Sequence, residues 1–273
     1  MSSPGPERLV RLVRRADADL AEAALLVAQG CAPELDVDRE LLRVDALADQ
    51  LRTRRVGTQP AAAAAALLAD HLGGELGFHG EVARFHEPDS SLFHRVLETR
   101  QGLPITLSAL YVAIARRLHL PAFAIALPGH VMVGLADQDL PVVLDPFHGG
   151  VRLEEVDLVE RIRVATGGRL TYRRAMLRPS PAVHLTRRML HNLTRDLSAA
   201  GRIDEAVWTV QTKLALPNRL PEDHRDLGEL EAGRGRFDLA AQSFERFLEL
   251  TRGDTTERES ARRAAIDARA RLN

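Results

Sequence analysis

The feature that most limits how this chain can fold is the stretch QGLPITLSALYVAIARRLHLP at residues 101–121. It is almost free of polar side chains until Arg116 and Arg117, so a helix over 104–118 must be buried in a core. The period of the sequence then changes. The segments 122–128, 130–136 and 141–147 are short, apolar and separated by turn residues, as in antiparallel strands. We therefore expect a buried helix packed against a small antiparallel sheet.

The sequence before this stretch has mostly helical periodicity. Apolar residues recur every three or four positions, and Pro60 is suited to a first helical turn. The predicted elements are a polar tail at 1–5, helices at about 7–30, 38–54 and 60–72, a glycine-rich irregular segment at 73–91 and a short helix within 91–100.

A basic stretch follows the predicted sheet. It begins inside a predicted helix near 153–166 and runs from Arg161 to Arg178. These arginines predict a solvated face or pairs with the acidic segment 154–160. They are not interleaved with aromatic residues, and the formal net charge of the chain is only -1, so we expect no nucleic-acid partner.

The C-terminal third repeats itself. GRIDEA at 201–206 recurs as GRFDLA at 235–240, which is 34 residues later, and leucines before and after these motifs keep the same offset. A period of about 34 residues, with a glycine turn and an alanine at the helix crossing, is typical of tetratricopeptide repeats. The small side chains of Ala206 and Ala240 let paired helices approach closely.

The composition excludes several other classes. The chain has one cysteine, Cys31, so no intramolecular disulfide and no multi-cysteine zinc site can form. The first residues carry charges throughout, unlike a signal peptide, and no apolar run reaches about 18 residues. We expect a cytoplasmic protein with no membrane segment.

The middle of the chain orders its polar residues as thiol enzymes of the papain type do. In such enzymes a thiolate at a helix N-terminus lies beside an imidazole, which a carboxylate on the next strand orients. Here the apolar helix is followed by a strand with Gly129 and His130 and by a strand that ends at Asp145. Neighbouring antiparallel strands can place His130 and Asp145 side by side.

These blocks resemble a known bacterial family. The segments VLETRQGLPITLSALYVAIARRLHLP, LPGHVMV and VVLDPFHGG, in this order and followed by the repeat, are similar to the SirB-type transglutaminase-like proteins. The resemblance covers about residues 35–250. It implies a transglutaminase-like core followed by tetratricopeptide-like helices. The chain departs from the pattern at Ser90, Ser91 and His94, where the family tends to have an asparagine, and at His119, where a glycine is usual.

The resemblance also assigns roles to residues. It places the nucleophile position at Pro104, the catalytic histidine at His130 and the orienting carboxylate at Asp145. It implies a cleft lined by Gly102, Thr106, Ser108, Gly129 and His148. Proline has no nucleophilic atom, and loss of the nucleophile from such a triad costs on the order of a million-fold in turnover.

Other assignments of the same residues remain open. Thr106, Ser108 or Cys31 could serve as a substitute nucleophile in a hydrolase or acyltransferase, although a helix C-terminus does not activate a thiol at position 31. His130, Asp145 and His148 could bind a metal, but their spacing is weak evidence for that. His130 and Asp145 could also form a purely structural hydrogen bond. We expect no metal and no cofactor.

Together these patterns predict an α+β protein. Its expected parts are an N-terminal helical segment at 6–75, a transglutaminase-like, papain-like core at 76–180 and a tetratricopeptide-like helical region at 181–273. The expected function is that of a noncatalytic transglutaminase-like protein with a degenerate Cys-His-Asp site. It would act as a regulatory module that binds a protein partner through its C-terminal repeats. The oligomeric state is not predicted.

Overall fold

The computed structural model describes residues 5–54, 56 and 59–272. Of the predicted polar tail, residues 1–4 lie outside this range. The described chain is α+β, as predicted: helices surround one small antiparallel sheet. The helices that precede the sheet are α1 (Glu7–Leu12), α2 (Leu20–Gln29), α3 (Val37–Arg52), α4 (Ala61–Ala69), α5 (Pro88–Ser91), α6 (Phe93–Thr99) and α7 (Pro104–Arg117).

Helix α7 is the buried centre of the fold, as its composition predicts. Pro104 begins it, because its fixed φ suits a first turn and its missing N–H leaves no donor unpaired. Every residue from Pro104 to Ala115 is buried. The chain leaves the helix through His119, whose φ is +62°. This left-handed conformation, which a glycine adopts with less strain, explains why the related pattern has glycine at this position.

The sheet has four strands rather than the three predicted. Strands β1 (Ala122–Leu127), β2 (His130–Leu135), β3 (Val142–Asp145) and β4 (Val151–Leu153) pair in sequence order, and all neighbours are antiparallel. The β1–β2 hairpin turns at Pro128 and Gly129, and Gly129 has a φ of +71°. Strand β4 is only three residues long, which is too short for a detectable alternation.

The two faces of the sheet contact different helices. Val131 and Val133 of β2 belong to the main core around α7. Met132 lies on the opposite face, in a second apolar cluster with Leu158 and Ile162 of α8 (Glu155–Thr166). Because side chains alternate along a strand, His130 lies on the face that α8 covers.

The predicted helix at 7–30 is two helices. Helix α1 ends at Leu12 and α2 begins at Leu20. The carboxylate of Asp19 accepts hydrogen bonds from the backbone N–H groups of Ala21 and Glu22 and so starts the second helix. The irregular segment 73–91 also contains more structure than predicted, since α4 continues as a π-helical turn at Asp70–Glu75.

The C-terminal region consists of consecutive helices. They are α9 (Ala182–Ala199), α10 (Ile203–Ala215), α11 (Glu222–Gly233), α12 (Phe237–Leu250) and α13 (Thr256–Ala270). The repeated motifs have the same local structure: Gly201 and Gly235 both have a φ of +73°, and a helix begins two residues after each. Ala206 and Ala240 are fully buried at the helix crossings. Helix α9 packs on α2, and α13 packs on α12.

Candidate functional site

The ends of β2 and β3 bring His130 and Asp145 together. In the antiparallel register Val133 pairs with Leu144, so the start of β2 lies beside the end of β3. Nε2 of His130 is 2.8 Å from Oδ1 of Asp145. The juxtaposition expected from the sequence is therefore present in the structure.

Asp145 is completely buried and surrounded by donors. Its Oδ1 also accepts the backbone N–H of Phe147 at 3.1 Å. Its Oδ2 is 2.7 Å from Nδ1 of His148 and 2.8 Å from an outer guanidinium nitrogen of Arg161 on α8. Both oxygens are thus occupied, as a buried carboxylate requires.

These donors keep the carboxylate ionised. Burial by itself would raise the pKa of Asp145, but the hydrogen bond and charge of His130, the hydrogen bond of His148 and the charge of Arg161 lower that pKa to about 2. An ionised carboxylate only accepts hydrogen bonds, so Nε2 of His130 carries a proton. The second ring nitrogen, Nδ1, has no hydrogen-bond partner among the described residues.

Aromatic rings hold His130 in place. The rings of His130 and His148 stack with centroids 6.3 Å apart, and the edge of Phe147 contacts both. Phe147 is itself fixed, because it lies against Gly80, where any Cβ would come within 1.9 Å of its ring. His148, which is half exposed, is at the border of the site rather than inside it.

The residues assigned to the nucleophile helix contact β2 on the side of Val131 and Val133. Ser108 donates a hydrogen bond to the carbonyl of Val131 at 3.0 Å, and residues four apart share a helix face, so Pro104 lies one turn before this contact. Among the residues that the structure describes, no hydrogen bond, ion pair or ring contact joins Pro104 to His130 or Asp145. The structure therefore brings together the histidine and the carboxylate, without an adjoining reactive group from Pro104.

The hydroxyl groups near this position are engaged. Thr106 donates to the carbonyls of Ser90 and Leu103, and both Thr106 and Ser108 are buried. Gly102 belongs to the same turn, since a Cβ there would come within 2.8 Å of the Thr106 hydroxyl.

Cys31 lies in another part of the protein. The charged side chains that act on its thiol are Glu205 and Arg202, at the start of α10. Burial, and then the charge of Glu205, raises the pKa of the Cys31 thiol to about 12. A thiol with this pKa is almost entirely protonated at neutral pH and a poor nucleophile.

The sequence did not identify Arg161 as a site residue. Its inclusion in a basic stretch predicted a solvated face or a pair with nearby acidic residues, whereas it pairs with Asp145. The helical period could have identified it. Leu158 lies three residues before Arg161 and Ile162 one residue after it, and both pack on the sheet, so Arg161 is on the side of α8 that faces the sheet.

His130, Asp145 and His148 also place possible metal-ligand atoms within 4.8 Å of one another. The Arg161 cation, however, already contacts the carboxylate of this group.

A cavity of about 300 Å³ opens beside His130. It lies between the β1–β2 turn, which includes Gly129, and the helix α8. The residues on its walls are mostly apolar, and Arg161 is among them.

Comparison with known proteins places this arrangement in a family. The model of the transglutaminase-like superfamily matches residues 39–191, a range that includes α7, the whole sheet and α8. The chain belongs to the transglutaminase-like superfamily. Within the match, His130 and Asp145 occupy the strand positions that the sequence resemblance assigned to them.

The curated relatives are bacterial proteins of the UPF0162 group. A UPF0162 protein of Xylella fastidiosa strain 9a5c is 32% identical over 236 residues, which are 85% of this chain and 83% of that protein. A UPF0162 protein of Pseudomonas aeruginosa is 28% identical over 75% of this chain and 74% of its own length. The relationship therefore extends beyond the superfamily match into the C-terminal helices.

One solved structure has a weak overall similarity. It is a crystal structure of menin described as revealing the binding site for Mixed Lineage Leukemia (MLL) protein, with 12% identity, a TM-score of 0.42, and coverage of 97% of this chain and 75% of that one. A similarity at this level carries no argument about fold details or function.

In the part of the chain that the structure describes, no helix combines the length and the apolar character needed to span a membrane.

Proposed function

We propose that this protein is a noncatalytic member of the transglutaminase-like superfamily. One observation carries the proposal: Pro104 occupies the position assigned to the nucleophile, at the first residue of α7. A proline side chain cannot attack a carbonyl carbon, and covalent catalysis needs an activated nucleophile beside the base.

The substitute nucleophiles support the same conclusion. The hydroxyls of Thr106 and Ser108 are buried and donate to backbone carbonyls. Cys31 has a protonated thiol and neighbours outside the site. A hydrolase or acyltransferase would require one of these groups to leave its present contacts, and nothing in the geometry favours this over the noncatalytic function.

We further propose an interaction role for the C-terminal helices. Their 34-residue repeat, the matching Gly201 and Gly235 turns and the buried Ala206 and Ala240 support a SirB-type protein with tetratricopeptide-like helices. Such helices commonly present an extended surface to a protein partner. The boundaries 6–75, 76–180 and 181–273 and the cytoplasmic location remain parts of this proposal.

The test of the noncatalytic claim uses electrophilic labelling of the full chain. The wild type and His130→Ala are incubated with a fluorophosphonate and with iodoacetamide, and intact mass is measured. We expect no adduct that depends on His130. An adduct present in the wild type and absent from His130→Ala would overturn the proposal.

Two variants that place a cysteine at position 104 show whether His130 can still activate a thiol there. In a Cys31→Ala background, Pro104→Cys should react with iodoacetamide faster at pH 7 than the matched Pro104→Cys, His130→Ala chain if the site still activates a thiol.

The interaction role is tested by hydrogen exchange. In a complex of the full chain with its co-purified partner, the backbone amides of α9–α13 should be protected from exchange. Protection confined to residues before α9 would contradict that role.

A further inference from the structure

The cavity beside His130 has the dimensions and the lining of a ligand site. Its volume of about 300 Å³ is at the lower end of the range for small-molecule pockets. Leu127, Met132 and Ile162 form apolar walls between the sheet and α8. These walls are suited to the aliphatic part of a ligand.

Arg161 supplies the charge in this cavity. One of its outer nitrogens is 2.8 Å from Asp145, and no other ion pair or hydrogen bond to Arg161 occurs among the described residues. A guanidinium has five N–H donors in a fixed plane, so one edge can bind Asp145 while another binds a second carboxylate. Its side chain is 31% exposed and lines the cavity.

His130 adds a second polar group on the same wall. Its Nε2 is committed to Asp145, and its Nδ1 has no hydrogen-bond partner among the described residues. Because Asp145 and the Phe147 ring fix the imidazole, Nδ1 has a defined direction. The open edge of Arg161 provides the oriented charged contact that a mostly apolar site needs for specificity, and the fixed imidazole bounds the cavity beside it.

The acidic residue on the cavity wall is already neutralised. Glu160 lines the cavity, and both its oxygens are bound by Arg163, at 2.8 Å and 2.7 Å. Arg163 therefore offsets the negative charge that would otherwise oppose an anion near Arg161.

We propose that this cavity binds a small aliphatic monocarboxylate. The carboxylate pairs with the open edge of Arg161, and the aliphatic body lies against Leu127, Met132 and Ile162. The inference rests on the proposed function in one respect: without a nucleophile, the His130 site binds the carboxylate without transforming it. The carboxylate can belong to a free acid or to the C-terminal residue of a peptide.

The test is isothermal titration of the full chain with sodium hexanoate, with hexanamide as the uncharged control and N-acetylleucine as the mimic of a peptide terminus. Hexanoate should bind and hexanamide should bind at least about tenfold more weakly, because a charge-assisted hydrogen bond is lost. Tighter binding of N-acetylleucine than of hexanoate would identify a peptide terminus as the source, and the reverse would identify a free acid.

Two matched pairs of variants locate the site. Arg161→Gln should weaken hexanoate binding at least about tenfold, whereas Arg174→Gln, which removes an exposed arginine that pairs with Glu155 of α8 and does not line the cavity, should change it less than about threefold. Asp145 retains His130, His148 and the Phe147 N–H in the Arg161→Gln chain, so the fold should persist. At the exposed rim, Val164→Trp should block binding, and Val156→Trp, which is exposed but does not line the cavity, should not.

Three results would overturn the proposal: no hexanoate binding by the wild type, equal binding of hexanoate and hexanamide, or the same affinity in Arg161→Gln as in Arg174→Gln. Failure of the noncatalytic function has a different readout, since it requires a covalent adduct that depends on His130. Absence of hexanoate binding would therefore refute the ligand site and leave the noncatalytic function standing. An adduct that depends on His130 would refute the noncatalytic function, whatever the result of the hexanoate titration.

Discussion

Replacing Asp223 with asparagine should destabilise the C-terminal helices strongly. Asp223 on α11 is 1% exposed, and Arg187 of α9 binds both its oxygens at 2.7 Å. Nζ of Lys213, the only lysine of the chain, is 3.4 Å away on α10 and is also 1% exposed. One carboxylate therefore joins three helices through two cations.

The size of the effect follows from what the substitution leaves behind. Asparagine keeps the shape of the side chain but removes its charge, so Arg187 loses its ion pair and Lys213 keeps only Asp226, at 3.1 Å. Removing one partner of a buried ion pair costs about 3–5 kcal/mol, and we expect the lower end because Asp226 remains. For a chain of this length the melting temperature should fall by about 6–12 °C.

Urea unfolding followed by tryptophan fluorescence measures this effect. The only tryptophan, Trp208, lies on α10 with its ring against Gly30 of the α2 end, so its emission reports whether these helices are docked. The control is Asp204→Asn on α10: Asp204 is 83% exposed and pairs with Arg234, and we expect a loss of at most about 1 kcal/mol.

The pH dependence gives an independent check. Burial opposes the ionised form of Asp223, but the hydrogen bonds of Arg187 and of the Leu220 N–H bring its pKa below the ordinary value. Stability from this group is therefore complete above about pH 4 and is lost as pH falls through the lowered pKa. The difference between wild type and Asp223→Asn should be constant from pH 7 to 5 and should shrink below about pH 4. Equal midpoints for the wild type and Asp223→Asn at pH 7 would refute the reasoning.

Three further predictions concern other parts of the molecule. Gly73→Ala should destabilise the protein by at least about 2 kcal/mol in urea unfolding, because the new Cβ would lie 1.8 Å from the carbonyl oxygen of Gly149. Gly74→Ala is the control and should not destabilise, because a Cβ there would have nothing within 4 Å. Equal effects of the two substitutions would contradict this close packing. Cys31, whose thiol pKa is raised to about 12, should react with a disulfide reagent at pH 8 far more slowly in the native protein than in urea, and equal rates would show that the thiol is accessible and ionised. Asp145→Asn should reduce stability at pH 7. Because the pKa of Asp145 is lowered to about 2, this difference should shrink as pH falls below about 5 and vanish only below about pH 2; an undiminished difference at pH 2 would show that the charge is not its cause.

Much of the architecture could be predicted because periodicity records which side of each element is buried. The unbroken apolar surface of α7 predicted a fully buried helix, and the short apolar segments before and after the Pro128-Gly129 turn predicted two antiparallel strands. Short elements escaped prediction. Strand β4 has three residues, and the break between α1 and α2 depends on a local cap at Asp19 rather than on a change of hydrophobic period.

The sequence by itself determined which chemical groups the chain contains. It specified a proline at position 104, a histidine and an aspartate on successive strands, and one cysteine. These identities limit covalent chemistry whatever the fold is, because side-chain reactivity requires a suitable atom. Only the tertiary structure decided which groups meet. Arg161 reaches Asp145 because α8 crosses the sheet face that carries the ends of β2 and β3, and Cys31 lies beside α10 because α2 packs on the C-terminal helices. Contacts between residues distant in sequence depend on how helices dock on the sheet, and local patterns do not encode that geometry.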